Sequence, residues 1–215
     1  MLVDDHPLIR KALQDILSQE NDITILGESG SGIEAVELAK KLIPDVIIMD
    51  VSMPGMDGIE ATRCIKALLP DVNVIILTVY DDEQHVKAIL EAGASGYLLK
   101  SVFGEEVVKA VRSVAAGNMV ISPAIGKQLI KLATSQPANS VKLEQRGRLS
   151  ARELEVLKLT SRGLSNKEIA AQMGINLRTV KGHFSDIFSK LGVNSRTEAV
   201  MVGLREGFFS LDETR

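Results

Sequence analysis

Residues 46–50 read Val-Ile-Ile-Met-Asp: four consecutive apolar residues ended by a carboxylate. A strand with one wet face alternates apolar and polar residues, whereas a strand buried on both faces runs continuously apolar. The stretch therefore predicts a parallel sheet covered on both sides. Working outward, four more apolar runs occur at Met1–Val3, Ile23–Gly27, Val74–Leu77 and Gly96–Leu99. Between them lie helical patterns at Pro7–Ser18, Gly32–Leu42, Gly58–Leu69, Asp82–Ala92 and Glu105–Ala116. In the first of these, Leu8, Ala12, Leu13, Ile16 and Leu17 share one helical face. Five strands alternating with five helices predict an α/β domain, a doubly wound five-stranded parallel sheet.

In such a sheet, ligands bind beyond the carboxyl ends of the strands, where the strand order reverses. Asp4 and Asp5 end the first apolar run and Asp50 ends the third, while Thr78 follows the fourth and Lys100 the fifth. If the first and third strands are neighbours, three acids, a hydroxyl and an ammonium gather on one edge. Adjacent carboxylates repel each other and resist burial. A hard divalent cation compensates them, and Mg²⁺ commonly takes one or two carboxylates together with a phosphate. A carboxylate beside that metal can attack phosphorus, with the cation and Lys100 neutralising the transferred oxygens and Thr78 donating a hydrogen bond. Each residue alone has an ordinary reading: a capping aspartate, a strand threonine, a solvated lysine. Their joint placement at strand ends points to the pocket. His6, His85 and His183 lie too far apart in sequence to suggest a metal site.

The second half of the chain has another character. Residues 1–122 carry a net charge of −9 and residues 123–215 one of +6, within a total of −3. That asymmetry predicts two units with different partners, the basic one suited to nucleic acid. The single cysteine, Cys64, excludes a disulfide framework within the chain and a cysteine-based zinc site. With neither a signal-peptide pattern nor an apolar run near the ~18 residues of a membrane span, the expectation is a soluble, cytoplasmic protein without a membrane partner. Ser122-Pro123 predicts a short helix to about Ala133, followed by a polar linker at 134–140. The expected division is 1–121, then a helix and linker over 122–148, then 149–215. Beyond Arg148, helices are expected at Ser150–Arg162, Ser165–Met173, Leu177–Leu191 and about Ser195–Glu206, the first two opened by the capping boxes Ser150/Glu153 and Ser165/Glu168. Gly174-Ile-Asn176 is a short glycine-containing turn of the helix-turn-helix kind. The helix after it places Val180, Phe184, Ile187 and Leu191 inward and Arg178, Thr179, Lys181, Gly182, His183 and Ser185 outward, a shape that fits the major groove.

Asp4-Asp5, Asp50-Val-Ser-Met-Pro-Gly-Met-Asp-Gly58, Thr78 and Tyr97-Leu-Leu-Lys100 resemble the receiver domain of two-component response regulators. ELEVLKL, followed by GLSNKEIAAQMGINLRTVKGHFSDIFSKLGVNSRTEAV, resembles the LuxR-type helix-turn-helix of the NarL/FixJ family. The resemblance implies a flavodoxin-like receiver joined to an all-α four-helix domain. It implies that Asp50 is the phosphoacceptor, that Asp5, Asp50 and the Ser52 carbonyl ligate Mg²⁺ with Asp4 supporting, that Thr78 and Lys100 contact the phosphoryl group, and that Tyr97 is the aromatic switch. It implies base contacts from Lys181, Gly182 and Ser185 and phosphate contacts from Arg178, Thr179 and Arg196, with Ser165 and Asn166 beside them. The implied partners are a sensor histidine kinase, double-stranded promoter DNA and a second copy of the chain when phosphorylated, paired through the last helix; RNA polymerase is a further candidate. The implied protein regulates transcription and is no enzyme beyond assisting its own phosphoryl transfer and dephosphorylation. Two departures stand out. Only three residues precede Asp4, which predicts either a start a few codons upstream or a clipped chain, and Ser101 stands where many receivers have proline. A metal-dependent phosphatase would need a substrate pocket and a second acid/base, and a ligand-sensing regulator an aromatic-lined front half; the sequence offers neither.

Overall fold

In the computed structural model, which describes residues 1–79, 83–102, 104–123, 125–126 and 148–209, Val46–Asp50 forms β3 and is buried at every position. It pairs in parallel with β1 (Leu2–Val3) on one side and β4 (Asn73–Thr78) on the other. β2 (Glu28–Ser29) flanks β1, and β5 (Gly96–Leu99) flanks β4. Successive side chains of β3 point to opposite faces, which is why the run is continuously apolar. Ile47 and Met49 enter one core with Ala35 and Ala39 of α2 (Gly32–Leu42), Ala61 and Ile65 of α3 (Gly58–Leu68) and Val86 and Ile89 of α4 (Glu83–Glu91). Val46 and Ile48 enter the other, with Leu13 and Leu17 of α1 (Pro7–Leu17) and Val107, Ala110 and Val114 of α5 (Glu105–Ala115).

Two expectations are corrected. The sheet has six strands, not five, in the order β2-β1-β3-β4-β5-β6. The sixth, β6 (Val120–Ile121), is a two-residue edge strand whose register comes from β5, through Gly96↔Val120 and Tyr97↔Ile121. So short a segment has no periodicity of its own to read. The second strand is Glu28–Ser29 rather than Ile23–Gly27. A parallel ladder needs two strands, and β1 offers only Leu2 and Val3; the Leu2 amide donates to the Gly27 carbonyl at 3.0 Å, and pairing runs onward from there. Ile23 and Ile25 still pack on the core without ladder partners. The strand order reverses between β1 and β3, which sets the carboxyl ends carrying Asp4, Asp5 and Asp50 side by side.

The C-terminal domain consists of α6 (Ala151–Ser161), α7 (Asn166–Met173), α8 (Leu177–Leu191) and α9 (Arg196–Arg205) around a separate core of Val156, Leu157, Ile169, Val180, Phe184 and Ile187. Both expected capping boxes form: Ser150 and Ser165 each accept from the amide three residues on, and Glu153 and Glu168 accept from the Ser150 and Ser165 amides at 2.6 and 2.7 Å. Gly174 ends α7 in the left-handed region and Asn176 caps α8, completing the helix-turn-helix. Buried Glu153 also ties α6 to α8 through Lys190, whose ammonium lies 2.7 Å from both carboxylate oxygens. Burial opposes ionisation of Glu153, but Lys190 and the Ser150 amide and hydroxyl outweigh it and hold the carboxyl below its ordinary value. The expected helix from Ser122-Pro123 is helical at 123, 125 and 126; its remainder and the linker at 134–140 lie outside the described residues.

Candidate phosphoacceptor pocket and nucleic-acid interface

Asp4 and Asp50 are 1% and 2% exposed at the ends of β1 and β3, and one cation is ion-paired with both. The Lys100 ammonium, one residue past β5, lies 2.8 Å from Asp4 Oδ2 and 2.9 Å from Asp50 Oδ2. Burial pushes the Asp50 carboxyl above its ordinary range; the Lys100 hydrogen bond pulls it back, and the Asp4 charge adds to the rise. Burial alone would push Lys100 down, but its hydrogen bonds to Asp4 and Asp50 and their charges win, and its pKa is raised. The Ser52 backbone also favours the ionised Asp50 carboxyl. Thr78 is buried at the end of β4, one register step beyond Asp50, and its carbonyl accepts from the Lys100 amide at 2.7 Å. Gly58 lets the start of α3 lie against the Asp50 carbonyl, where a Cβ would come within 1.8 Å of the oxygen. The peptide bond between Lys100 and Ser101 is trans.

The structure thus brings together the Asp4, Asp5, Asp50 and Lys100 read from the sequence, with Thr78 on the adjoining strand end. It also adds two residues. His6 stands at the N-cap position of α1, and its Nδ1 lies 2.7 Å from Asp5 Oδ1 and 3.2 Å from Asp4 Oδ1. Arg10 donates to the Asp4 carbonyl at 2.5 Å. The sequence signal for His6 is its place directly after the acid pair, at the start of the first helix. Ligand atoms of Asp4, Asp5, His6 and Asp50 lie within 4.8 Å of one another. The carboxylates form a hard oxygen set suited to a divalent cation, and half-buried Asp5 keeps its edge open to solvent. Asp4 already answers Lys100 and the His6 amide. Tyr97, at the expected switch position, is turned into the core shared with α2, α3 and α4.

In the second domain, Arg178, Thr179, Lys181, Gly182 and Ser185 are all exposed along α8, and the Thr179 hydroxyl donates to the capping Asn176 oxygen at 2.9 Å. His183 is half-buried and Asp186 exposed beside them. The other three expected DNA residues sit elsewhere. Ser165 is buried in its capping box, and half-buried Asn166 accepts from Arg196 at 3.2 Å. Half-buried Arg196 stacks over the Phe184 ring, 5.3 Å from its centroid, and donates to the carbonyls of Leu164 and of Gly117 in the first domain. Burial lowers its pKa to about 10, which leaves it charged at neutral pH.

Residues 1–112 match the family model of the response regulator receiver domain, and residues 147–202 match that of the luxR family of bacterial regulatory proteins. The chain is 39% identical over 205 residues to the transcriptional regulatory protein LiaR of Bacillus subtilis (strain 168), covering 95% of this chain and 96% of that protein. Among solved structures it resembles the response regulator ChrA of a heme-sensing two-component system, at 38% identity and a TM-score of 0.51 over 97% of both chains. It also resembles RcsB, in a structure of two dimers bound to two parallel DNAs, at 26% identity and a TM-score of 0.54 over 93% of this chain and 94% of that one. The chain belongs to the response regulators that join a receiver to a LuxR-type DNA-binding domain. It is a DNA-binding transcriptional regulator of a two-component system. Among the described residues no helix is long and apolar enough to cross a membrane.

Proposed function

We propose that Asp50 accepts a phosphoryl group from a sensor histidine kinase and that this controls pairing and promoter binding of a cytoplasmic regulator. One observation carries the reading: Asp4, Asp5 and Asp50 converge at the strand-order reversal with Lys100 bridging two of them. A carboxylate oxygen of Asp50 attacks phosphorus, the bond from phosphorus to the kinase imidazole nitrogen breaks, its electron pair leaves with that nitrogen, and an aspartyl-phosphate remains. Asp5, Asp50 and the Ser52 carbonyl would hold Mg²⁺, with Asp4 supporting, and the ion would supply charge neutralisation at the phosphoryl oxygens. Lys100 exchanges the Asp50 oxygen for a phosphoryl oxygen, and Thr78 donates its hydroxyl to another. The same groups assist attack by water when the phosphate is lost. The modification brings about −1.5 to −2 of charge to the strand end. Thr78 shifts toward it, and Tyr97, one strand over, repacks and biases the surface of α4 and β5.

The receiver spans 1–121 and the DNA-binding domain 149–215, joined by 122–148. Once released, the second domain places α8 in the major groove of promoter DNA. Lys181, Gly182 and Ser185 face base edges there, with Arg178 and Thr179 on phosphates and Ser165, Asn166 and Arg196 completing the backbone contacts. Two copies paired through α9 read half-sites about one turn, ~34 Å, apart. RNA polymerase is the proposed further partner at the promoter. The test treats purified wild type and Asp50→Ala with a small-molecule phosphodonor and Mg²⁺, read by intact mass and size exclusion. A single added phosphate on wild type alone, with a shift toward dimer, is expected. Equal labelling of Asp50→Ala would move the acceptor elsewhere.

A further inference from the structure

His6 approaches Asp5 in a way that a hydrogen bond does not explain. Its Nδ1 lies 2.7 Å from Asp5 Oδ1, and that oxygen is buried. Among the described residues no hydrogen bond reaches the oxygen, and the ring makes no capping bond to α1. The same nitrogen stands 3.2 Å from Asp4 Oδ1, which already accepts from the His6 amide at 2.9 Å. Neighbouring corners of an octahedron with bonds of about 2.1 Å are about 3 Å apart, and the two distances from Nδ1 bracket that spacing. Lys100 does not compete for this side of the pocket, because it pairs with the other Asp4 oxygen, Oδ2. The ring is held where it stands by the bond of its own amide to Asp4 and by Pro7, which fixes the first helical position after it. His6 is exposed, so an ion can enter from solvent past the imidazole.

We propose that His6 Nδ1 is a further ligand of the dication at the phosphoacceptor pocket, beside Asp5 and Asp50, and that it gives the pocket a preference for transition-metal dications over Mg²⁺. The inference rests on the reading of Asp5 and Asp50 as metal-holding residues. Carboxylates alone make a hard oxygen set, which suits Mg²⁺. An imidazole nitrogen is a softer donor; it adds little for Mg²⁺, and its contribution rises along the first-row series from Mn²⁺ through Co²⁺ to Ni²⁺. The ligand atoms of Asp4, Asp5, His6 and Asp50 lie within 4.8 Å of one another, so one ion meets the nitrogen and the oxygens together after small side-chain adjustments. His6 thus forms a site with the acids around it and not with the other histidines of the chain. A ring that only oriented Asp5 would strengthen every dication alike, and this separates the two roles.

The experiment titrates the full chain, His6→Asn and Asp5→Asn with Mg²⁺, Mn²⁺, Co²⁺ and Ni²⁺ by calorimetry at one neutral pH. Asparagine caps a helix well and keeps an amide donor near the place of Nδ1, so it preserves the fold and any hydrogen bond while removing the imidazole. His6→Asn is expected to leave Mg²⁺ affinity within about twofold and to weaken Mn²⁺, Co²⁺ and Ni²⁺ progressively, Ni²⁺ by about tenfold or more. Pulsed EPR of Mn²⁺ on the wild type should show the nitrogen of a bound imidazole, and His6→Asn should lose it. Equal losses for all four ions would make His6 an orienting partner of Asp5 and overturn the ligand role. No loss for any ion, or transition-metal binding that excess Mg²⁺ does not displace, overturns it as well. Asp5→Asn tells this failure from that of the underlying reading. If it lowers Mg²⁺ affinity while His6→Asn changes nothing, His6 alone is excluded; if it leaves Mg²⁺ binding at the wild-type level, Asp5 holds no dication and both readings fall.

Discussion

Lys100 and Lys181 are the same side chain in opposite circumstances. Lys100 sits between two buried carboxylates at 2.8 and 2.9 Å, with its neighbours' charges raising its pKa. Lys181 stands exposed on α8. The difference follows from what each region has to meet. A phosphoryl group is small and arrives at one point, so its charges and donors are held in position beforehand, at the cost of burying like charges. A duplex is long and brings its own charge, so the basic groups facing it stay solvated until it arrives. Electrostatics is structural in the first region and deferred in the second.

Removing each lysine is the sharpest test of that contrast. Lys100→Met leaves Asp4 and Asp50 buried without their cation and is expected to cost about 3 kcal/mol in urea denaturation without metal. Mg²⁺ should restore part of the loss, because it binds only the folded carboxylate cluster. Lys181→Ala is expected to leave stability within about 0.5 kcal/mol in the same titration. Equal effects from the two substitutions would erase the distinction.

Glu153 shows that a buried, paired charge is not by itself a mark of the reactive site. Like Asp50 it is buried against an opposite charge, yet it lies on α6 and joins two helices rather than opening to a ligand. Its carboxyl is held below the ordinary value of 4.5, so the stability it contributes is fully present above pH 4.5 and is lost as the pH falls through the lower folded value. Glu153→Gln is expected to cost about 2 kcal/mol at neutral pH and to flatten that acid-side loss. An unchanged acid limb in the variant would assign the loss to other groups.

How far the sequence could be read depended on how local the determining physics was. β3 was legible because burial on both faces writes itself as a continuous run, and the two capping boxes because each is closed within four residues. β6 was not, since its register is dictated by the backbone of β5. The second strand was misplaced because β1 decides where its ladder lies. In the site, each acid announced itself by standing after an apolar run, whereas the ring of His6 joins the acids only once the chain turns into α1. Arg196 is the instructive case. An arginine just after a helix cap reads the same whether it faces phosphate or a carbonyl of another domain, and only the tertiary approach of Gly117 separates the two.

The finest version of the contrast lies within α8 itself. Arg178 and Lys181 are both exposed, three residues apart, and both are cations, yet the proposed roles differ in kind: one holds the backbone and the other reads a base edge. A phosphate contact carries no sequence information, so Arg178→Gln should weaken binding to specific and mixed-sequence duplexes alike, by about 1 kcal/mol, and reduce the salt slope by about 0.9. Lys181→Ala should instead weaken the preferred site more than the mixed sequence, because a lost base contact is felt only where the matching base was present. The measurement is a pair of salt titrations per variant on the phosphorylated full chain. If Arg178→Gln changed sequence preference and Lys181→Ala changed only the slope, the two roles would be exchanged, and α8 would lie in the groove rotated about its axis from the proposed orientation. If both variants changed the slope alone, no base readout would come from this pair, and specificity would rest on the shape of the duplex.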